Sequence, residues 1–318
     1  MSTNPHNQLS LFGPSPARVD SLISHRRLGS ARSKSPPNSP RFCVLGSGSG
    51  GNCSVLAIGN IAMLIDAGFG PRTTAHRLGQ FGLALQDLDL ICLTHLDRDH
   101  FRPIWMSLIL QHRIRLFLHR WHVHDFQRLP LAHEVVAAGL VQTFDDQPIH
   151  LHADLTSHAV RLPHDEKGTC GFLIETPDCR IGYATDLGRV PQTLIQQFTS
   201  VDLLAIESNY DPQLQRESSR PAFLKHRIMG GKGHLSNQQA FDAIRQIDDH
   251  SPTGLPRYIV LLHRSAQCNS EKRIAAAYTA APHLWKRVTL SHQRRRSPIF
   301  TLHPAPALRA QPPLPWNA

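Results

Sequence analysis

The chain has 318 residues and is 41% hydrophobic, enough apolar content to build a substantial core, which excludes a wholly unfolded chain. No window approaches 18 uninterrupted apolar residues, and the N-terminus has no charged start followed by an apolar stretch. We therefore expect neither a transmembrane helix nor a secretory signal, and a cytoplasmic location. The net charge is +10, and most of it lies at the two ends of the chain. Residues 1–41 hold six Arg or Lys and one acid, and residues 284–318 hold six Arg or Lys and no acid, so residues 42–283 carry a net charge of −1.

Both ends of the chain have a composition that disfavours folding. Residues 1–41 are rich in Ser, Pro and Arg, and residues 303–318 are rich in Pro, so neither can bury enough apolar surface to offset the entropy of ordering it. We expect both to be disordered tails around a single domain at residues 42–302. The six cysteines form no C-x-x-C pair, so they are expected to be reduced and buried.

The predicted elements begin with three short strands, "FCVLG", "CSVLAIG" and "IAMLIDAG", joined by glycine-containing turns as a meander. A helix over Pro71–Phe81 and the buried strand "LDLICLT" follow. Further strands are predicted at "IRLFLH", "GFLIET", "RIGYAT", "VDLLAIE" and "RYIVLLH", and further helices at "RPIWMSLILQH", "VPQTLIQQF", "SNQQAFDAIRQIDD" and "SEKRIAAAY". This alternation after a hairpin-rich opening favours a layered α/β sandwich.

A cluster of metal-ligand residue types follows the fourth strand, in "LTHLDRDHF" at residues 93–101. Imidazole and carboxylate groups bind divalent metals, and four of them in six residues can serve two ions about 3.5–4 Å apart. The alternative is a polar turn whose aspartates cap the helix after it. The cluster is His95, Asp97, Asp99 and His100.

Other polar residues have positions that would let them join this cluster. His164, Asp186, Glu207 and His263 each lie at or just beyond the end of a predicted strand or in its flanking loop, where layered α/β proteins collect ligands. The four histidines in "QHRIRLFLHRWHVHDF" lack such a context, and we expect no second metal site there.

Together these motifs resemble the metallo-β-lactamase fold family of binuclear hydrolases, whose signature H-x-H-x-D-H follows a strand. The likeness to the YycJ (WalJ) branch, described as DNA exonucleases, recurs in "VLGSGSGGNCSVL", "IDAGF", "ATDLG", "AIESNYD", "GHLSNQQA" and "LLHRSAQCN", which span residues 44–269. The resemblance implies a four-layered αββα sandwich.

The resemblance also implies a site. Its metal ligands are His95, Asp97 and His164 for one ion, Asp99, His100 and His263 for the other, and Asp186 as the bridge. Asp99, Asp186 and His234 count as catalytic. His234 is a candidate proton donor to the leaving group or a phosphate contact, and the alternative is a structural histidine at a helix start. Asp66, Asn52 and Glu207 support the ligands, with Asn209 as a weaker candidate. A hydroxide shared by two divalent ions would attack phosphorus.

Two positions depart from the family pattern. Asp97 replaces the second histidine of the signature, so the site has three carboxylates and favours harder ions, with manganese or magnesium competing with zinc. Arg264 stands where an apolar residue is expected after the last histidine, either facing phosphate or exposed.

Three functions fit these observations. The first is a metal-dependent phosphodiesterase acting on nucleic acid, as a DNA exonuclease, with the basic tails adding affinity for phosphates. The second is a hydrolase of a small phosphodiester, thioester or other ester. The third is a nucleic-acid-binding protein with a degenerate site, which the complete set of seven competent ligand types disfavours.

Overall fold

Two seven-stranded sheets face each other in a computed structural model that describes residues 39–303. The strands, in chain order, are β1 (Arg41–Gly46), β2 (Cys53–Ile58), β3 (Ile61–Ile65), β4 (Leu90–Cys92), β5 (Arg115–His119), β6 (Val141–Phe144), β7 (Ile149–His152), β8 (Leu155–Leu162), β9 (Thr169–Glu175), β10 (Arg180–Ala184), β11 (Leu203–Glu207), β12 (Tyr258–Leu262), β13 (Val288–Leu290) and β14 (Phe300–Thr301). The first sheet has the order β14-β1-β2-β3-β4-β5-β6 and the second β13-β12-β11-β10-β9-β8-β7.

The helices of the described part connect the parallel strands. They are α1 (Pro71–Phe81), α2 (Trp105–His112), α3 (Val123–Phe126), α4 (Ala132–Ala137), α5 (Gln192–Phe198), α6 (Pro212–Glu217), α7 (Ala222–Met229), α8 (Asn237–Asp249), α9 (Glu271–Ala277) and α10 (Pro282–Trp285). Strands β3 to β6 and β10 to β13 run parallel, whereas β1 to β3 and β7 to β10 are antiparallel.

Three large apolar clusters separate four layers of structure. One lies between the two sheets and includes Met63 and Tyr183. A second packs the first sheet against helices, with Trp105 of α2 fully buried, and a third packs the second sheet against helices, with Ile244 of α8 fully buried. Because each sheet buries one face on the other sheet and one on helices, the predicted αββα sandwich is confirmed.

Most predicted elements are present, and their ends follow from local chemistry. Helix α1 spans the predicted Pro71–Phe81 and stops at Gly82, which has a φ of 91°. Helix α8 lies within the predicted "SNQQAFDAIRQIDD" and begins with a capping box, in which the side chains of Ser236 and Gln239 each accept a backbone N–H.

The predicted tails, residues 1–41 and 303–318, fall outside the described residues except at 39–41 and 303. Arg41, counted with the N-terminal tail for its charge, is instead the first residue of β1, where it pairs with Ala57 and Thr301. All six cysteines are free and buried, as predicted. Among the described residues, no helix combines the length and apolar content needed to cross a membrane.

Candidate metal centre

The loop that carries the four clustered residues, 93–101, is fixed by backbone hydrogen bonds from two neighbouring segments. Asn52 N donates to Asp99 O at 2.7 Å, and Ala67 N donates to His100 O at 2.7 Å. Gly68 passes so close to the loop that a Cβ there would lie 1.8 Å from Asp99 O. The "IDAG" motif therefore needs glycine because the two backbones touch.

The other predicted site residues arrive at the same edge of the two sheets. Asp66 follows β3, His164 follows β8, Asp186 follows β10 and His263 follows β12. Three of these, Asp66, Asp186 and His263, have φ of 62°, 52° and 48°, in the left-handed region that side chains rarely adopt. Such strained backbone collects at functional sites, where surrounding contacts hold it in place.

The structure brings the seven predicted ligands together, with two further residues. Four overlapping groups each place one donor atom per residue within 4.8 Å of the others: His95, Asp97 and His164; Asp99, His100 and His263; His95, His100 and Asp186; and Asp186, Glu207, His234 and His263. The first two groups correspond to the two ligand sets expected from the sequence. Asp186 belongs to both of the other groups, which share histidines with the first two.

His100 is held by the buried carboxylate of Asp66. Its Nδ1–H donates to Asp66 Oδ2 at 2.8 Å, and Thr94 N donates to Asp66 Oδ1 at 2.8 Å. On the other side of the ring, His100 Nε2 lies 2.9 Å from Asn52 Nδ2 and 2.6 Å from Asp186 Oδ2. A ring nitrogen whose lone pair faces a carboxylate at this distance needs a shared proton or a metal cation.

His164 and His263, like His100, each point one ring nitrogen, Nε2, into the cluster. His164 Nδ1–H donates to Gly233 O at 2.8 Å, which leaves Nε2 as its acceptor. His263 Nδ1 lies 2.9 Å from both Asp186 Oδ1 and Glu207 Oε1, while its buried Nε2 has no hydrogen-bond partner among the described residues. A buried nitrogen that makes no hydrogen bond but lies 3.5 Å from Asp99 Oδ2 is suited to ligate a cation, so the donor set fits divalent metal ions.

Glu207 is fully buried and connects the centre to the loop before α8. Its Oε2 accepts from Leu187 N at 2.9 Å and from Leu235 N at 3.3 Å, and its Oε1 lies 2.8 Å from His234 Nδ1. His234 is 21% exposed and lines a cleft of about 340 Å³ that contains the cluster. Its position thus allows it to meet a bound substrate.

The imidazoles of the centre differ in how they hold a proton. Burial, with the nearby charge of His100, keeps the pKa of His95 well below its ordinary value. Burial also acts to lower the pKa of His100, but the Asp186 and Asp66 carboxylates outweigh it and raise that pKa well above the ordinary value. For His234, Glu207 and Asp186 outweigh burial and raise the pKa to about 9. Without a metal ion, burial thus favours the neutral form of His95, whereas the neighbouring carboxylates favour a proton on His100 and on His234.

Sequence reasoning missed Thr94 and Arg227 and did not decide whether Arg264 faces phosphate or solvent. Thr94 Oγ1 lies 3.0 Å from His95 Nδ1 and also donates to Asp66, and Arg227 Nε donates to Asp165 Oδ1 at 2.9 Å beside His164. The position of Thr94 directly before the ligand loop is a signal that could have pointed to it. Arg264 neither faces the cluster nor lies free in solvent: its guanidinium donates twice to Ser291 O.

A larger cleft of about 820 Å³ adjoins the cluster on the side of His95, Asp97 and His164. Other residues that line it are the acids Asp125, Asp165 and Glu166 and the cations Lys167, Arg227 and Lys232. The centre therefore opens into a space much larger than a coordinated ion needs.

With this geometry in place, the comparisons with known proteins agree on the family. The family model described as a beta-lactamase superfamily domain matches residues 62–263, more than half of the chain, so the chain belongs to this superfamily. It is a hydrolase of the metallo-β-lactamase fold.

Within this superfamily, the chain is similar to curated proteins named YycJ and WalJ. The chain is 24% identical over 236 residues to the exodeoxyribonuclease YycJ of Bacillus anthracis, covering 73% of this chain and 84% of the relative. It is 26% identical over 211 residues to the exodeoxyribonuclease WalJ of Streptococcus pneumoniae serotype 2 (strain D39 / NCTC 7466), covering 64% and 75%. The metallo-β-lactamase fold protein YhfI of Bacillus subtilis superposes with a TM-score of 0.59 at 14% identity, covering 82% of this chain and 99% of that one. The predicted resemblance to the YycJ (WalJ) branch is confirmed.

Proposed function

We propose that this chain is a divalent-metal-dependent phosphodiesterase that degrades nucleic acid, with DNA as its substrate and attack from an end. The observation that carries the proposal is the set of overlapping donor groups centred on Asp186, in a superfamily of hydrolases. Support for DNA and for exonuclease action comes from the two curated relatives, both of which are named exodeoxyribonucleases. A cytoplasmic location belongs to the same proposal.

Seven residues form the proposed ligand set for two ions. His95, Asp97 and His164 would hold one ion and Asp99, His100 and His263 the other, with Asp186 as a carboxylate shared between the two sets. Bound there, divalent ions acidify water and offset the negative charge that builds on the phosphate oxygens.

The remaining roles belong to the protein. Asp66 fixes the ring of His100 with Nδ1 protonated, so that Nε2 is the ligand atom. Glu207 Oε1 holds His234 Nδ1 at 2.8 Å, which leaves Nε2 of that ring to donate a proton to the leaving oxygen or to contact a phosphate. Asn52 supports the ligand loop through its contacts with Gly48 O and Asp99 O.

Asp97 gives this centre its proposed metal preference. It is 60% exposed and lies 3.8 Å from His95 Nε2, so it is placed to act as an outward-facing carboxylate ligand. A third carboxylate neutralises more of the metal charge and suits harder ions, so manganese or magnesium competes with zinc here better than at a histidine-richer site.

The test uses purified protein with manganese, magnesium or zinc on end-labelled single- and double-stranded DNA and RNA, beside bis-p-nitrophenyl phosphate. We expect nucleotide release from DNA, and a loss of at least about 100-fold in His100→Ala, because that residue is proposed to bind metal. His76→Ala, an exposed histidine on α1, is the matched control and should behave as the unmutated protein.

Each result has a defined meaning. If His100→Ala released nucleotides as fast as the unmutated protein, the proposed centre would be wrong. Hydrolysis of the small ester alone would instead indicate a hydrolase of a small phosphodiester or other ester. Binding of DNA without hydrolysis of any substrate would indicate the nucleic-acid-binding alternative.

A further inference from the structure

Positive charge is concentrated in one segment beside the centre, residues 212–232, which contains α6 and α7. The segment holds one acid, Glu217, and five cations: Arg216, Arg220, Lys225, Arg227 and Lys232. Its net charge is thus +4, whereas residues 42–283 as a whole carry −1, so the rest of that region carries −5. The near-neutral total therefore hides a local basic surface.

Most of this charge is not neutralised by neighbours. Arg227 is paired with Asp165, but the other four cations have no carboxylate within 4.0 Å among the described residues. Arg220 contacts only neutral acceptors, including Gln215 Oε1 at 3.1 Å and Ser265 Oγ at 3.4 Å. Uncompensated cations at the rim of a cleft attract anions such as phosphates.

The segment reaches both sides of the metal centre. Arg220 lines the smaller cleft together with His263, and Arg227 lines both clefts on the side of His164. Lys232 lines the larger cleft. Acids line the larger cleft as well, and two of them, Asp125 and Asp165, are paired with Lys167 and Arg227. Lys232 in the larger cleft and Arg220 in the smaller one are therefore the cations left to meet phosphates.

An exposed aromatic ring lies on α7, the helix that contributes residues to the larger cleft. Phe223 of α7 is 75% exposed, the most exposed large apolar side chain in the described part of the protein. It lies three, four and seven positions before His226, Arg227 and Gly230, which all line that cleft. Residues with this spacing share one face of a helix, so Phe223, although not a lining residue itself, lies on the same face of α7 one turn before His226 and Arg227.

We propose that the larger cleft binds the single-stranded end of a nucleic acid, with an unpaired base stacked on Phe223 and flanking phosphates held by Lys232 and Arg220. This inference rests on the proposed nuclease function and specifies its substrate. Aromatic faces combined with cationic grooves are how proteins bind single strands without sequence preference. A base inside a duplex keeps both of its faces stacked, so Phe223 discriminates against paired ends.

The test measures binding separately from catalysis. A fluorescein-labelled twelve-nucleotide oligothymidylate is titrated with the full chain in EDTA, and dissociation constants are obtained by fluorescence anisotropy. We expect Phe223→Ala to weaken binding about 10-fold, within the range for loss of one base–aromatic stack. Phe223→Trp should bind as tightly as the unmutated protein or more tightly, and Phe223→Leu should lose as much as Phe223→Ala.

The matched control is Ile104→Ala, which removes another exposed apolar side chain, 62% exposed, that lines neither cleft. It should bind the oligonucleotide normally. A blunt twelve-base-pair duplex should bind Phe223→Ala within about 2-fold of the unmutated protein, because no free base is available to stack.

Three outcomes would overturn the inference: unchanged binding by Phe223→Ala, full retention by Phe223→Leu, which would indicate a partner that needs only an apolar side chain, or an equal loss on the duplex. Failure of the nuclease function has a different appearance. In that case the unmutated protein hydrolyses no nucleic acid with any metal, while the anisotropy series still decides whether Phe223 binds a single strand.

Discussion

Asp66 should control metal binding without touching the metal. Its side chain is fully buried and accepts from Thr94 N, Thr94 Oγ1 and His100 Nδ1 at 2.8–3.0 Å. Two substitutions separate its contribution to folding from its control of the His100 tautomer. Asp66→Ala removes every acceptor, whereas Asp66→Asn keeps the shape and one oxygen.

The expected magnitudes follow from which donors lose their partner. In Asp66→Ala, Thr94 N and His100 Nδ1 become buried donors without acceptors, at about 1–3 kcal/mol each. Burial already raises the pKa of Asp66, so the charged side chain is itself costly, and we expect a net loss of about 3 kcal/mol.

Asp66→Asn should behave differently because its oxygen still accepts from Thr94. Its amide N–H then faces His100 Nδ1, which favours the tautomer with the proton on Nε2, the nitrogen 2.6 Å from Asp186 Oδ2. That nitrogen becomes a donor to the carboxylate instead of a ligand. We therefore expect a stability loss below about 1.5 kcal/mol but a fall of about 10- to 100-fold in metal affinity.

Urea unfolding in EDTA measures the first quantity, and calorimetric titration with Mn²⁺ or Zn²⁺ measures the second. If Asp66→Asn bound metal as tightly as the unmutated protein, the tautomer argument would be refuted. A loss of stability in Asp66→Asn as large as in Asp66→Ala would also contradict it.

Three other changes test different links in the account. Gly68→Ala should cost about 1–3 kcal/mol in urea unfolding and weaken metal binding, because its Cβ would meet Asp99 O at 1.8 Å; unchanged metal affinity would contradict this. Asp97→His should shift the ratio of zinc to manganese affinity toward zinc on the order of 10-fold, measured by competition, and a shift toward manganese would sink the carboxylate argument. Burial lowers the pKa of His119 to about 4, below its value near 6.5 in the unfolded chain. The buried neutral ring therefore contributes full stability above pH 6.5, and up to about 3 kcal/mol of it is lost as the pH falls toward 4. His119→Asn keeps an acceptor for Trp121 N but does not titrate, so it should flatten the rise of unfolding free energy between pH 4 and 6.5; an equally steep rise would be the opposing result.

Nine of the fourteen strands in the described residues, and most site positions, could be predicted because each has a local pattern. The ligand loop at residues 93–101 follows an apolar strand directly, and Asp186 and His263 follow later predicted strands in the same way. Strand β8 is not predicted, so the place of His164 in the site came only from the family resemblance. Parallel strands end at a common edge, so a residue just beyond a strand is placed without knowledge of the tertiary contacts.

The basic surface beside the centre could not be found in the same way. Helices α6 and α7 have no predicted strand or apolar period to mark them, and α7 buries only Ile228 along its length. The partners of Arg227 and Arg264 lie 62 and 27 residues away in sequence, so their ion pair and hydrogen bonds depend on the folded chain. Net charge over residues 42–283 also concealed where the charge lies.

The metal content of the purified chain tests the proposed centre most directly. Protein loaded with Mn²⁺ or Zn²⁺ and then dialysed is analysed by elemental mass spectrometry, beside His164→Ala, His263→Ala and the exposed-residue control His76→Ala. We expect about two ions per chain in the unmutated protein and the control, and about one in each of the other variants, because each removes a ligand of a different ion. Equal metal content in all four proteins, or none in the unmutated chain, would contradict a binuclear centre at these residues.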